Sequence, residues 1–431
     1  MRPLHSIRAR QIVPALLFAV TNGAAAQLAN ASTAATALSG AFTARATGYN
    51  AVAWNPANLA MPGNPGFSFT LATVDGTAGI KPIDLQKIHD YQGVFVPKAV
   101  REQWLLDATA QGGEKGGVGA GVTALGFSLG SFAFQASTKV ASDMNLAPGA
   151  VEGMLFGNVG RFDTLRTLSL AGSSLQGAAY STGAISYGRS LGLLPLANFA
   201  VGATVKYTLG HAMVVGLDNS SAIGTKDITL DFPAVIPDSA SRKNKTGNLG
   251  SGVGLDLGGA WTIPGFRFGV SFQNVVNTFK WDTTKFVVRP VTGLFSVDTS
   301  FTNTKGPDQP YSTASAALRA KVAAMKFKPV IAAGMSFDWL PKMTVSADIR
   351  QQAGDGIEVG PKSLIAAGVE YRMIPFIPLR AGVSSMTGGF GVSGGLGVHL
   401  LGFEMGVAAY LRKRDGGSET GGTLSVLSIR P

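Results

Sequence analysis

The sequence predicts an all-β fold: a transmembrane antiparallel β-barrel of about 14 strands, with a few short helices. Three observations predict it. Apolar residues alternate with small or polar residues along most of the chain, charged residues make up only 14% of it, and tight turns alternate with long polar loops. The predicted organisation is a signal peptide at residues 1–26, a segment at 27–66 that lacks the strand pattern, and the barrel at 67–431.

The first 26 residues have the pattern of a secretory signal. Three arginines within the first ten residues form a basic start, an apolar stretch runs from Ile12 to Val20, and Ala24-Ala25-Ala26 offers a cleavage site before Gln27. An uncleaved membrane anchor is the alternative, but this stretch is shorter than the roughly 20 residues that span a bilayer. The sequence therefore predicts an exported protein.

Strand-like alternation begins with a first strand predicted at 67–74 and dominates after residue 116. In the segment 199–210, Phe199, Val201 and Val205 occupy one row, and small or polar residues occupy the other. Successive side chains of a strand point to opposite faces, so each row belongs to one face of a sheet. Such segments have the length of a tilted membrane strand, which needs about 9–11 residues.

The rows opposite the apolar ones contain Gly, Ala and Ser together with acids and arginines in near balance. The outer rows of a soluble sandwich, the alternative fold, are usually dense in Lys, Glu and Thr. A barrel lumen instead brings opposite charges on neighbouring strands close enough to pair. The candidate lumen-facing residues are Asp256, Arg267, Asp338, Asp348, Arg350, Glu370, Arg372, Arg380, Glu404 and Arg412.

The composition and motif content exclude several classes of protein. A soluble domain carries about 25% charged residues, and this chain has no cysteine for disulfides or thiolate chemistry. Its net charge of +11 is dispersed along the sequence, which argues against binding of nucleic acid. Because no metal-ligand spacing, nucleotide motif or catalytic serine pattern occurs, we expect no enzyme activity, no cofactor and no metal site.

The predicted connections between strands are of two kinds. Tight turns with Pro or Gly, as at 263–265, alternate with long polar stretches, as at 280–326. Outer-membrane barrels have short turns at one end and long loops at the other. Apolar residues at helical spacing predict short helices near 97–108 and 313–325.

The most informative motif lies between residues 39 and 60. The segment Ser39-Gly40-Ala41-Phe42-Thr43-Ala44-Arg45-Ala46 is followed by Ala53-Trp54-Asn55-Pro56-Ala57-Asn58-Leu59. This stretch resembles the start of the long-chain fatty acid transporter (FadL-like) superfamily of outer-membrane barrels, and a finer likeness is to the uncharacterised family DUF5723. The resemblance implies that residues 27–66 form an N-terminal hatch, a plug segment that closes the lumen from the periplasmic side. The residues of this plug motif are Gly40, Phe42, Arg45, Trp54, Asn55, Pro56 and Ala57.

The chemistry of the Asn-Pro-Ala motif fits a fixed turn. Pro56 has a restricted φ and keeps Asn55 out of the helical region. The side chain of Asn55 can then accept or donate hydrogen bonds to nearby backbone groups. An ordinary tight turn without a plugging role is the alternative interpretation of this tripeptide.

Two functions fit the predicted fold. The resemblance implies a passive channel for hydrophobic small molecules such as long-chain fatty acids. The alternative is a non-transporting scaffold, or a secretion-associated barrel that binds another exported protein. An apolar pocket or lateral opening beside the plug favours transport, whereas a filled and charged lumen favours the scaffold. In both cases we expect the cell outer membrane as the location and its lipid as a partner.

Overall fold

The computed structural model describes most of the chain, and the predicted signal at residues 1–26 lies outside the described residues. The described residues are 27–430 except for 31, 193–197, 240–246, 297–298, 304–305, 355 and 358–360.

Fourteen long strands in this part of the chain form the wall of a barrel. They are β1 (Phe67–Lys81), β2 (Glu114–Leu129), β3 (Phe132–Leu146), β4 (Ser174–Ser190), β5 (Asn198–Leu217), β6 (Gly250–Ile263), β7 (Phe266–Asn277), β8 (Val330–Leu340), β9 (Met343–Gln352), β10 (Ser363–Ile374), β11 (Ile377–Met386), β12 (Gly389–Leu400), β13 (Phe403–Arg414) and β14 (Gly417–Ile429). Each strand is antiparallel to the next one along the chain, and β1 also pairs with β14. The predicted closed antiparallel barrel of about 14 strands is thus confirmed.

The first strand extends further than the sequence pattern predicted. It pairs with β14 as far as the Ile80↔Ser418 position, six residues after the predicted end at 74, and the register is the same on both sides of Ala72, which has φ 55°. The added residues include Gly76, Ala78 and Gly79, whose small side chains give little contrast between the two faces. Alternation is therefore hard to detect there from hydrophobicity alone.

The two faces of the wall differ in chemistry. On β5, Val201, Val205 and Tyr207 are exposed on the outer face, whereas Thr204 and Lys206 are buried on the inner face. The same division recurs around the barrel and leaves an outer band of Val, Ile, Leu, Phe and Met side chains. A closed sheet satisfies its backbone hydrogen bonds internally, and its apolar outer band suits lipid, so this is a transmembrane barrel.

The two ends of the barrel differ in the length of their connections. At the end that we call the tight-turn end, two-residue turns such as Pro264–Gly265 and Leu401–Gly402 join the strands. At the other, the loop end, the longest connection is 278–329. Outward aromatic rings of β6, β7 and β8 stack in a row at the tight-turn end, with centroid separations of 4.9–6.3 Å between neighbours. Such a row is typical of a membrane interface.

The helices are short and lie either in the N-terminal segment or at the loop end. They are α1 (Thr33–Ala37), α2 (Ala51–Trp54), α3 (Leu85–His89), α4 (Lys98–Ala110), α5 (Pro148–Phe156) and α6 (Ala316–Ala324), with 3₁₀ helices at Gly48–Asn50, Pro56–Ala60, Gly157–Phe162, Thr283–Lys285 and Tyr311–Thr313. The two helices predicted from sequence correspond to α4 and α6. Among the described residues, no helix has both the length and the apolar character to cross a membrane.

The long loops form a packed layer over the loop end. Their short strands are Leu168–Ser169, Ala222–Ile223, Asp227–Asp231, Ala234–Pro237, Lys280–Trp281, Phe286–Arg289, Thr292–Ser296, Thr299–Asn303 and Gln309–Pro310. A buried apolar cluster, which includes Tyr180, Met213, Trp281 and Phe327, joins these loops and α6 to the inner faces of β4 and β5. The loop end therefore has an apolar core of its own.

Candidate functional site in the barrel lumen

Residues 27–66, which we call the N-terminal segment, lie inside the barrel. Helix α1 contacts β11, β12, β13 and β14, and the 3₁₀ helix Pro56–Ala60 contacts β4, β5, β6 and β7 on the opposite side. The 3₁₀ helix Gly48–Asn50 contacts β1, β2 and β3. The segment thus touches the inner wall on several sides, and most of its side chains are buried.

Glycines of the wall make room for this segment. A Cβ added to Gly202 or Gly258 would overlap atoms of the Asn55–Ala57 motif. On the other side of the lumen, a Cβ added to Gly368 or Gly382 would come within 2.5–2.8 Å of Leu38. A close approach of one backbone to another requires the absence of a side chain, so these positions need glycine.

Two neighbouring glycines of β6, Gly258 and Gly259, allow the contact with the Asn55–Ala57 motif to be tested with a matched control. Gly258→Leu should displace the Asn55–Ala57 motif from the wall, because the inner face has no space for the side chain. Gly259→Leu should leave the motif in place, since no atom lies within 4 Å of a Cβ added there. We expect a protease to cleave the N-terminal segment of purified G258L faster than that of G259L. Equal cleavage of the two variants would contradict this contact.

The plug-motif residues form a connected set within the segment. Ser39 and Gly40 have φ values of 53° and 96°, and the Gly40 N–H donates to the carbonyl of Ala35 at 2.8 Å, which ends α1. The rings of Phe42 and Trp54 meet edge to face at 5.5 Å between centroids. The ring pair joins the two halves of the motif across eleven intervening residues.

Asn55 occupies a fixed turn at the wall. Its backbone is extended, with φ −155° and ψ 103°, and its side-chain oxygen accepts the Ala57 N–H at 3.1 Å. Its Nδ2 donates to the carbonyl of Gly259 at 3.1 Å, and Pro56 begins the 3₁₀ helix. Asn55 is fully buried, so each of these hydrogen bonds takes the place of a hydrogen bond that the side chain would otherwise make to water.

The strongest charged contact between the segment and the wall centres on Glu370. This buried carboxylate of β10 receives Arg45 of the segment at 2.8 Å, Arg372 at 2.7 Å and Arg380 at 2.6 Å. Arg45 and Arg380 are themselves largely buried. One carboxylate therefore contacts three guanidinium groups, two of which have little access to water, and the cluster keeps an excess of positive charge.

A second contact to the segment uses Asp348 of β9. Its Oδ2 accepts the backbone N–H of Thr43 at 2.8 Å in a buried position. Arg350, one inward position further along the same strand, lines a small cavity of about 110 Å³ beside Trp54. Both predicted residues therefore lie in the lumen next to the N-terminal segment.

The remaining predicted residues occupy three other places along the lumen. Asp256 pairs with Lys206 at 2.6 Å, and Arg412 pairs with Glu419 at 2.8 Å. Glu404 lies 3.0 Å from the Nε2 of His399. Arg267 and Asp338 line a larger cavity at the tight-turn end, together with Arg372, Arg380 and Glu404.

Sequence reasoning missed several charged partners of these residues. Lys206 lies in the polar row of β5, so the alternation itself could have identified it. Glu419 is on β14, between a serine and a threonine. Their partners come from neighbouring strands, and only the strand register shows which charges meet.

The cavity at the tight-turn end, which we call the vestibule, has a volume of about 740 Å³. Turn residues such as Pro264 and Pro375 line its mouth, and Arg45, Thr47 and Asn50 of the N-terminal segment line its inner end. Most of its lining residues are polar or charged, and the N-terminal segment contributes to its lining.

Comparisons with known proteins identify similar folds but no close relative. No protein-family model matches the chain, and no curated protein matches it. The toluene transporter TbuX of Ralstonia pickettii is 14% identical, with a TM-score of 0.50 over 94% of this chain and 99% of that one. The fold is that of TbuX. Two deletion mutants of the monoaromatic hydrocarbon channel TodX are each 13% identical, with TM-scores of 0.52 and 0.51. They cover 94% and 96% of this chain, and each match spans 99% of the mutant chain.

Proposed function

We propose that this protein is a passive channel for hydrophobic small molecules in the outer membrane. The observation that carries the proposal is a membrane barrel whose lumen contains its own N-terminal segment, in a fold shared with TbuX and TodX. A channel lined by side chains and blocked by a movable segment can admit solutes without an energy source. The fold analogy is an associational argument, so the function has to be tested directly.

The N-terminal segment acts as the plug in this proposal. It is held by many polar contacts, Arg45 to Glu370 and Thr43 to Asp348 among them, and by close packing against wall glycines. A solute that displaces the packing contacts has to break these polar contacts as well. The finer likeness of residues 39–60 to the family DUF5723 remains a proposal that rests on the same motif.

The substrate class in this proposal is that of hydrophobic molecules, long-chain fatty acids and monoaromatic hydrocarbons among them. The toluene and hydrocarbon channels with this fold support the broad class rather than any one compound. One observation favours the alternative scaffold function: the cavities beside the segment are lined largely by polar and charged residues, where an apolar pocket would favour transport.

Uptake in cells separates the two functions. Cells that carry the full-length protein in their outer membrane should accumulate radiolabelled toluene or oleate several-fold faster than cells with an empty vector. Passive entry should also persist when the membrane is de-energised. The protein must be recovered in the outer-membrane fraction and migrate as a heat-modifiable band. Equal uptake by the two strains, with the barrel present and folded, would favour the scaffold.

A further inference from the structure

The vestibule contains more cationic than anionic groups among its lining residues. Five arginines line it, against three carboxylates. The arginines are Arg45, Arg267, Arg372, Arg380 and Arg430, and the carboxylates are Asp338, Glu370 and Glu404. Three of the five arginines contact the same carboxylate, that of Glu370. The vestibule therefore has a positive field directed at its mouth.

Two of these guanidinium groups retain unused hydrogen-bond donors. Within the described residues, Arg267 makes no hydrogen bond or ion pair, although its side chain is half-buried against the backbone of Gly63. The Nη1 of Arg45 is buried and has no acceptor. A buried donor without an acceptor is unfavourable, because it has lost its bond to water. Both groups would gain acceptors from a bound anion.

The strand register shows how these groups surround the vestibule. Arg267 on β7 is in register with Ser336 on β8, while Asp338, Thr344, Glu370 and Arg380 occupy successive paired positions from β8 to β11. Neighbouring strands are about 4.8 Å apart. Arg267 therefore stands three strands away from Glu370, with Asp338 of β8 between them, and none of the described side chains accepts a hydrogen bond from it.

We infer that the vestibule binds a small polyanion, such as an organic phosphate or a polycarboxylate, from the tight-turn end. Its volume of about 740 Å³ lies within the range of small-molecule pockets. The N-terminal segment lies at its inner end, so the site is a pocket that is open at one end and has room for a small molecule. Guanidinium groups are well suited to phosphate and carboxylate because they present paired N–H donors.

The recognition follows from the positions of three arginines: Arg267 and Arg372, which line the vestibule, and Arg45, whose buried Nη1 lacks an acceptor at its inner end. Arg372 projects into the vestibule with 56% of its side chain exposed, and Arg267 stands on another part of the rim. Arg45 belongs to the N-terminal segment, so an anion that contacts it and the rim joins the segment to the wall. Binding therefore also stabilises the arrangement in which the segment occupies the lumen.

The test uses the purified mature barrel in detergent micelles, with inorganic pyrophosphate and citrate as probes. We expect saturable binding by isothermal titration calorimetry and a thermal midpoint that rises with pyrophosphate concentration. Arg267→Gln should weaken binding about tenfold, since it removes paired donors to the anion. The fold should tolerate this change, because Arg267 makes no described polar contact with the rest of the protein.

The matched control is Lys342→Gln, which removes one positive charge from a turn at the same end but outside the vestibule. Affinity should be retained in this variant, and acetate should bind much more weakly than pyrophosphate. Arg267→Lys should recover part of the affinity, since it restores charge without the planar donor pair. Absence of saturable binding, or equal losses in R267Q and K342Q, would overturn the inference. This outcome is independent of hydrocarbon uptake, so the channel proposal and this site can fail separately.

Discussion

Replacing Glu370 by glutamine is expected to destabilise the barrel by about 3–5 kcal/mol, because it leaves buried guanidinium groups without a carboxylate. Glu370 is almost fully buried, and so is Arg380, while Arg45 is mostly buried. The free energy of unfolding can be measured by urea denaturation of the protein in phospholipid vesicles. The N-terminal segment of E370Q should also become more sensitive to protease, since Arg45 loses its anchor.

Two further variants make this prediction specific. Glu102→Gln removes a carboxylate from α4 at the loop end, where it has no described ion pair, and should leave the stability within about 0.5 kcal/mol of wild type. Arg45→Gln combined with E370Q should cost less than the two single changes added together, because the pair interacts directly. Strict additivity, or an equal effect of E102Q, would contradict the Glu370 cluster as the anchor of the segment.

Deleting residues 27–62 from the mature protein is expected to open the lumen. The strands pair with one another around the whole wall, so the barrel retains its backbone hydrogen bonds without the segment. Its lumen loses the side chains that now fill it, and hydrophobic dyes should enter cells several-fold faster. Dye entry is measured at equal outer-membrane abundance of the deletion variant and wild type.

The dye-entry result for the deletion variant can be interpreted only if the variant is shown to be folded. Heat-modifiable migration on a gel shows that the barrel has formed. The matched comparison is G259L, whose altered side chain faces outward and whose dye entry should equal that of wild type. A folded deletion variant with unchanged dye entry would count against the N-terminal segment as a plug, whatever its effect on stability.

The alternation of residue types was sufficient to predict the barrel and the side of the wall on which each charge lies. Asp256, Asp348 and Glu370 all fall in polar rows, and all three are buried in the lumen. Successive residues of a strand face opposite sides of the sheet, so the spacing between two residues in the sequence shows whether they share a face. Where both rows contain small residues, as at Ala78 and Gly79, this contrast is lost.

The alternation of residue types did not predict which charged residues of different strands pair with each other. Nothing in the sequence near Arg45 indicates that its carboxylate lies 325 residues away on β10. The register of β10 with β11 brings Glu370 opposite Arg380, and the path of the N-terminal segment brings Arg45 to the same place. The alternation also failed to predict one of the turns. It places Gly388 within a strand, but Gly388 has φ +79° and lies in the turn between β11 and β12.

By itself, the sequence determined that this chain forms a membrane barrel with charges in its lumen, because side-chain direction in a strand is a local property. It also singled out the Asn-Pro-Ala turn, because Pro56 restricts its own backbone and that of Asn55. Only the tertiary structure decided which charges neutralise each other and which, like Arg267, remain without a described partner. Ion pairs require groups within a few ångströms, and those distances depend on register and on chain closure.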